Sequence, residues 1–222
     1  MSVNEDLFEV SPELEIRFEQ LGGKVPVILV DNFYRRPDDV REMALGLNFV
    51  SPDQPYPGKL ATIPLPNSSL LEVVRKVLEL VNRKYLPRVP IAVNGKTIVA
   101  FRRLITDFAV VDVHPDDLRP GQQRPHVDPV PVFALIYLNR EQRGGTLFFQ
   151  KRKAAGAKAA GAGYVRASDE AFKFVARIEP AYNRLAIYPG FIPHSGEIEG
   201  DWILGDERFK SPRLTQRFQF LP

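Results

Sequence analysis

The sequence predicts a mainly β protein with flanking helices, and three features carry that expectation. Its 20 prolines and 15 glycines concentrate between residues 52 and 66 and between residues 115 and 131, punctuating the chain as turns and loops do. The apolar runs between them, such as residues 25–30 and 132–138, are short and rich in Val, Ile and Leu, as buried strands are. Only two stretches repeat their apolar residues at helical spacing. At 222 residues the chain can bury a full core. It reads as one domain over residues 1–222, with strand and helical support in residues 1–90 and the β-rich core in residues 91–222.

Near the start, Leu14, Ile16 and Phe18 alternate with Glu13, Glu15 and Arg17, the pattern of an edge strand. Residues 25–30 form a buried strand ending at Asp31. Pro37 then opens a helix, with Asp38 and Asp39 in the first turn where carboxylates suit the dipole, and Val40, Met43, Ala44 and Leu47 on its apolar face. Within the proline-dense loop of residues 51–66, Tyr56, Pro57 and Gly58 read as a structural turn first and as a reach to the substrate side second. Ser69 and Glu72 match a capping box, and Leu70, Val73, Val74, Val77, Leu78 and Val81 continue a helix as far as Leu86.

From Ile91 the period changes to that of strands. Asn94-Gly95 marks a two-residue hairpin turn leading into a strand over residues 97–104, and residues 107–112 give another. His114, beside Pro115 in a polar loop, reads as exposed rather than as a ligand. Further strands fall at residues 132–138, 145–150, 185–188 and 214–221. Between them, residues 151–168 form an Ala/Gly/Lys segment without a periodic apolar face, as a mobile loop or lid has.

Composition narrows the chemistry. With no cysteine there is neither a disulfide framework nor a thiolate metal site, so His, Asp and Glu are the available metal ligands, a set that favours Fe, Mn or Zn. A formal charge of +3 is too slight to imply nucleic acid, and no nucleic-acid partner is expected. No run approaches the roughly 18 apolar residues of a membrane span, so a soluble, cytoplasmic protein without a membrane partner is expected. Nothing in the sequence indicates an oligomeric state.

The candidate site begins at Arg124-Pro125-His126-Val127-Asp128-Pro129. In an extended run alternate side chains share a face, so His126 and Asp128 point one way and Val127 the other. Joined by one more histidine they make the facial triad that binds non-heme Fe(II) and leaves coordination positions open. Of the 3 histidines, His194 is the candidate third ligand, because it ends a short apolar strand at a turn.

Four further blocks follow in order: Tyr137-Leu138-Asn139, Gly144-Gly145-Thr146-Leu147, His194, and Arg213-Leu214-Thr215. Together with His126 and Asp128 they resemble the catalytic core of the Fe(II)/2-oxoglutarate-dependent dioxygenases, nearest to the prolyl-hydroxylase-like branch, over about residues 124–220. The resemblance implies a double-stranded β-helix, or cupin-like jelly roll. The last strand agrees with it: Arg213, Thr215 and Arg217 alternate with Leu214, Gln216 and Phe218, giving a polar inner face and a mainly apolar outer one covered by helices.

The resemblance also implies a chemistry. His126, Asp128 and His194 would bind Fe(II), while Arg213, Thr215 and Tyr137 would bind the distal carboxylate of 2-oxoglutarate as co-substrate. Oxygen (O2) would be the oxidant, and a peptide, amino acid or small natural product would be hydroxylated as 2-oxoglutarate is decarboxylated to succinate. Arg213 is preferred to Arg217 because it lies nearer the loop after His194 and has Thr215 as its hydroxyl partner. Two other classes stay open. One is a non-catalytic cupin-like ligand-binding protein, which need not keep these residues together; the other is a Zn/Mn cupin-type isomerase or hydrolase, which has no use for Arg213 and Tyr137 on a shared carboxylate.

Overall fold

The computed structural model describes residues 6–52, 56–63, 68–152, 163–198 and 212–221. Most of the Ala/Gly/Lys segment and most of the connection from His194 to Arg213 lie outside the described residues, so the lid expectation does too.

The chain opens with β1 (Glu15–Leu21) and β2 (Val25–Asp31), followed by α1 (Pro37–Leu45), β3 (Lys59–Thr62) and α2 (Ser68–Leu80). A short hairpin, β4 (Ala92–Val93) and β5 (Lys96–Thr97), leads to β6 (Arg103–Val111), β7 (Val132–Tyr137) and β8 (Thr146–Lys151). The last four strands are β9 (Phe172–Ile178), β10 (Arg184–Pro189), β11 (His194–Gly196) and β12 (Arg213–Leu221).

One sheet has the order β1-β2-β10-β7-β12-β6-β3 and a second the order β11-β8-β9, with antiparallel pairing throughout. An isolated bridge from His126 to His194 extends the second sheet beyond β11. With that bridge included, β6-β12-β7-β10 in one sheet answers the His126 segment, β11, β8 and β9 in the other. Successive segments thus cross between sheets in the manner of a jelly roll, and the expected double-stranded β-helix is the observed fold.

Side-chain alternation explains how the sheets are filled. On β7, Phe133, Leu135 and Tyr137 point into the space between the sheets, while Val132, Ala134 and Ile136 point to the helices. Both faces are therefore covered, which is why β7 is apolar without alternation. From the helix side come Val40 and Ala44 of α1, and Leu70, Val73, Val77 and Leu80 of α2. Each of the larger α2 side chains contributes on the order of 1.5–3 kcal/mol by burial. Among the described residues no helix is long and apolar enough to cross a membrane.

Several local expectations are corrected. Ser69 does not cap α2, since the helix already includes Ser68; instead the Ser69 hydroxyl accepts the Phe8 amide at 3.1 Å. Residues 97–104 and 107–112 are not two strands, because β6 runs unbroken through Asp107, whose carboxylate faces Arg217 of β12 in register. The edge strand is present, but its Ile16 and Phe18 remain 43% and 39% exposed, with the Arg88 guanidinium 5.7 Å from the Phe18 ring centre. β3 and β9 add strands that the sequence reading does not anticipate.

Candidate metal centre

Backbone pairing brings the three triad residues together. The His126 amide donates to the His194 carbonyl at 2.9 Å and the His194 amide returns the bond at 2.8 Å, although His126 belongs to no longer strand. Two residues on, the Asp128 amide donates to the Gly190 carbonyl at 2.8 Å. Gly190 has to be glycine for that approach, since a Cβ there would lie 2.2 Å from the Val130 carbonyl oxygen and 3.1 Å from the Asp128 Cβ. One ligand atom each from His126, Asp128 and His194 lies within 4.8 Å of the others. His114 stands apart, its Nδ1 accepting the Asp116 amide.

His194 is buried among Tyr188, Phe148 and Phe133, with ring centres 5.1, 6.0 and 6.5 Å away. Its Nδ1 lies 2.8 Å from the Ile192 carbonyl oxygen, which can only accept, so Nδ1 carries a proton and Nε2 is the nitrogen turned inward. That nitrogen faces Asp128 Oδ2 at 3.2 Å, and Oδ2 is buried without a hydrogen-bond partner. A buried, unpartnered carboxylate oxygen facing a ring nitrogen calls for a cation between them. A proton would serve two atoms, but the His126 imidazole, its side chain 44% exposed, converges on the same point. Two imidazoles and a carboxylate therefore fit a divalent metal ion, of the borderline kind that nitrogen and oxygen ligands favour.

The second half of the site surrounds Arg213, which is 5% exposed. Its Nε donates to the Gly144 carbonyl at 2.8 Å and Nη2 to the Gly145 carbonyl at 3.3 Å. Gly144 has φ +77°, and a Cβ there would press on Arg213 Cγ and Cδ at 3.1 Å, so the Gly144-Gly145 turn is shaped around this side chain. Glu197 is bonded to Arg177 and to the Gly145 amide. Among the described residues no carboxylate forms an ion pair with Arg213, leaving a buried cation that calls for an anion.

Arg217 is already matched. Its Nε and Nη2 each bond an Asp107 oxygen at 2.7 Å, and Tyr56 stacks by it with the ring centre 5.1 Å from Cζ. Tyr137 is fully buried and its hydroxyl is 2.7 Å from Thr146 Oγ1; burial pushes that phenol up to about 12, so it stays protonated. Thr146 rather than Tyr137 lines the cavity wall. Asn139 serves a different end: its amide donates to the Pro212 carbonyl at 2.8 Å and accepts the Leu214 amide at 3.1 Å, fixing the backbone on both sides of Arg213.

A narrow cavity of about 60 Å³ connects the triad to Arg213, Thr215 and Thr146, with room for several waters or a short polar molecule. A wider cavity of about 450 Å³ opens from His126 and Asp128 toward Leu60, Asp107, Arg217 and Gln219. Tyr56 lines both, so it is more than the structural turn the sequence suggests. Thr146 and Asp107 are the residues that sequence reasoning missed as part of the site, while Tyr56 follows the less favoured of its two sequence readings. The Gly-Gly pair before Thr146 is a usable signal for it, whereas nothing local marks Asp107 as the partner of Arg217.

Fold and cluster define a jelly-roll protein with a candidate metal centre of two imidazoles and a carboxylate. The profile of DUF6445, a family of unknown function, matches residues 12–160 and 152–220, and the chain belongs to that family. No curated protein matches it in sequence. Among solved structures, it is similar to an oxidoreductase of the 2OG-Fe(II) oxygenase family from Burkholderia pseudomallei, at 11% identity and TM-score 0.34, covering 94% of this chain and 73% of that one. An N-substituted L-amino acid dioxygenase from Burkholderia ambifaria AMMD gives 11% identity and TM-score 0.33 over 86% and 81% of the two chains. A bsmA homolog from Methylobium petroleophilum PM1 gives 15% and 0.34 over 94% and 76%. Likenesses this distant carry no argument here; the fold rests on strand order and the site on its own geometry.

Proposed function

We propose that this protein is an Fe(II)- and 2-oxoglutarate-dependent oxygenase that hydroxylates a C–H bond of an organic substrate. The carrying observation is that one narrow cavity joins two unmet electrostatic demands: the unpartnered Asp128 Oδ2 facing His194, and the Arg213 cation without a carboxylate among the described residues. A metal ion answers the first and the far carboxylate of a short dicarboxylate answers the second.

In this reading His126, Asp128 and His194 hold the iron. Arg213 presents a permanently charged, planar donor set to the distal carboxylate of 2-oxoglutarate, with the Thr215 hydroxyl two residues along the same face. Tyr137 stands behind Thr146, its hydroxyl bonded to that of Thr146 at the same end of the cavity, rather than on the carboxylate itself as the prolyl-hydroxylase-like branch implies. Phe133, Leu135 and Tyr188 line the passage and keep bulk water from it. Bound iron supplies activation of O2, so that 2-oxoglutarate, O2 and a C–H bond give succinate, CO2 and an alcohol. The substrate, small molecule or peptide, enters by the wider cavity.

A non-catalytic cupin-like binding protein leaves the convergent triad unexplained, and a Zn/Mn cupin-type isomerase or hydrolase leaves Arg213 unmatched. The deciding assay is succinate formed from 2-oxoglutarate under air, with and without Fe(II) and with candidate substrates. Iron-dependent succinate that rises with an added substrate supports the reading. Absence of any iron-dependent 2-oxoglutarate consumption across the panel overturns it.

A further inference from the structure

The wider cavity contains a charged pair that the metal centre does not use. Asp107 and Arg217 are direct cross-strand neighbours on β6 and β12, doubly bonded, with side chains only 17% and 13% exposed. An ion pair so placed recovers little beyond its desolvation cost, and an apolar pair would hold the two strands as well, since they are already in register from Arg213↔Val111 to Leu221↔Arg103. The pair also has capacity left over. Arg217 Nη1 donates to none of the described residues, and each Asp107 oxygen accepts a single bond among them.

We propose that Asp107 and Arg217 form a head-group clamp for a free α-amino acid with an apolar side chain: the substrate carboxylate on Arg217 Nη1, and its ammonium on Asp107. This rests on the oxygenase reading and names its substrate class. Charge selects a zwitterion. An anion alone on Arg217 would meet Asp107, and a cation alone on Asp107 would meet Arg217, whereas a dipolar head group satisfies both with charge-assisted bonds. Leu60, Val127, Pro129 and Phe133 supply an apolar remainder to the wall, suited to an aliphatic or aromatic side chain. His126 and Asp128 border the same cavity, so a ligand held at the clamp lies beside the metal centre. At about 450 Å³ the space falls in the range of small-molecule sites.

The test is binding, read by calorimetry or ligand-observed NMR on the protein loaded with Zn(II) and 2-oxoglutarate, and separately on the metal-free protein. The probes are L-leucine, L-isoleucine and L-phenylalanine, with the N-acetyl and methyl-ester forms of each. We expect at least one free amino acid to bind, and either blocking group to weaken it by about tenfold or more. Asp107→Asn should lower the free amino acid to the level of its N-acetyl form, and Arg217→Gln to the level of its ester. The blocked probes on unmutated protein decide the matter should either variant misfold. The clamp is overturned if no free amino acid binds, or if blocked forms bind equally well. Failure of metal or 2-oxoglutarate to bind sinks the oxygenase reading instead, and titration of the metal-free protein then judges the clamp alone.

Discussion

Asp128 Oδ2 and His194 Nε2 face each other at 3.2 Å with the oxygen buried and unpartnered. A buried carboxylate oxygen without a hydrogen-bond partner destabilises the metal-free protein, and the disadvantage disappears when a cation binds. Asp128→Asn removes that buried charge and puts an amide in its place. The metal-free variant should therefore be at least as stable as the parent, by up to about 1 kcal/mol. It should also lose most of the rise in Tm that Fe(II) or Co(II) produces, which for the parent corresponds to roughly 2.7 kcal/mol at a hundredfold excess over Kd. Thermal melts with chelator and with metal measure both. A full metal-induced shift in the variant would mean that the ion binds elsewhere.

Arg213 and Arg217 lie on one face of β12, yet their surroundings separate their roles. Arg217 is neutralised by Asp107, while Arg213 donates to backbone carbonyls, lies 5.9 Å from the Tyr137 ring centre and has no carboxylate partner among the described residues. Losing a buried Arg–carboxylate pair costs on the order of 2–5 kcal/mol. Arg213→Ala should thus weaken 2-oxoglutarate by about thirtyfold or more with metal still bound, and Arg217→Ala by only a few-fold. Anaerobic titration of 2-oxoglutarate into the Fe(II) protein gives the ranking. The reverse order would transfer the co-substrate to Arg217.

Legibility from sequence followed the range of each interaction. The alternation of Arg213, Leu214, Thr215, Gln216, Arg217 and Phe218 specified which face of β12 is inward, because side-chain direction in a strand is local. His126, Asp128 and His194 were found by residue type and spacing, but their convergence depends on a two-residue backbone bridge that no local pattern encodes. Asp107 reads as the start of a separate strand rather than as a paired inward residue of a longer one, because its partner is 110 residues away. Ser69 had the local form of a cap and was claimed instead by Phe8, at a separation of 61 residues. Gln216, a polar residue on the helix-facing side, is accounted for by the Tyr34 hydroxyl, which donates to its carbonyl at 2.5 Å, and by Thr106 Oγ1, which accepts from its amide nitrogen at 3.1 Å.

Asn139 is 2% exposed and holds both backbone groups flanking Arg213, so its loss should show first at the co-substrate end of the cavity. Asn139→Ala leaves a buried carbonyl and a buried amide unpartnered, each at about 1–3 kcal/mol. The expected result is a Tm several degrees lower and weaker 2-oxoglutarate binding, with metal affinity nearly unchanged. Equal losses at metal and 2-oxoglutarate would indicate general loosening rather than a local effect on β12.

The opposite selectivity is expected at Gly190. Its carbonyl accepts the Asp128 amide, and the turn approaches so closely that an added Cβ would stand 2.2 Å from the Val130 carbonyl oxygen and 3.1 Å from Asp128 Cβ. Neither neighbour is the free end of a flexible side chain, so Gly190→Ala must displace backbone. Overpacking of this kind typically costs about 1–3 kcal/mol. The displaced strand end carries Asp128 away from His194, and because metal ligands tolerate little error in position, metal affinity should fall by about tenfold or more. Arg213 and Thr215 lie on β12, away from this turn, so the carboxylate end of the site is left intact. Gly121→Ala is the matched control, since nothing stands within 4 Å of a Cβ there. Metal titrations of the two variants, each compared with its own chelated melt, separate the outcomes. If Gly190→Ala binds metal as well as Gly121→Ala does, the close turn is not what holds Asp128 in the centre.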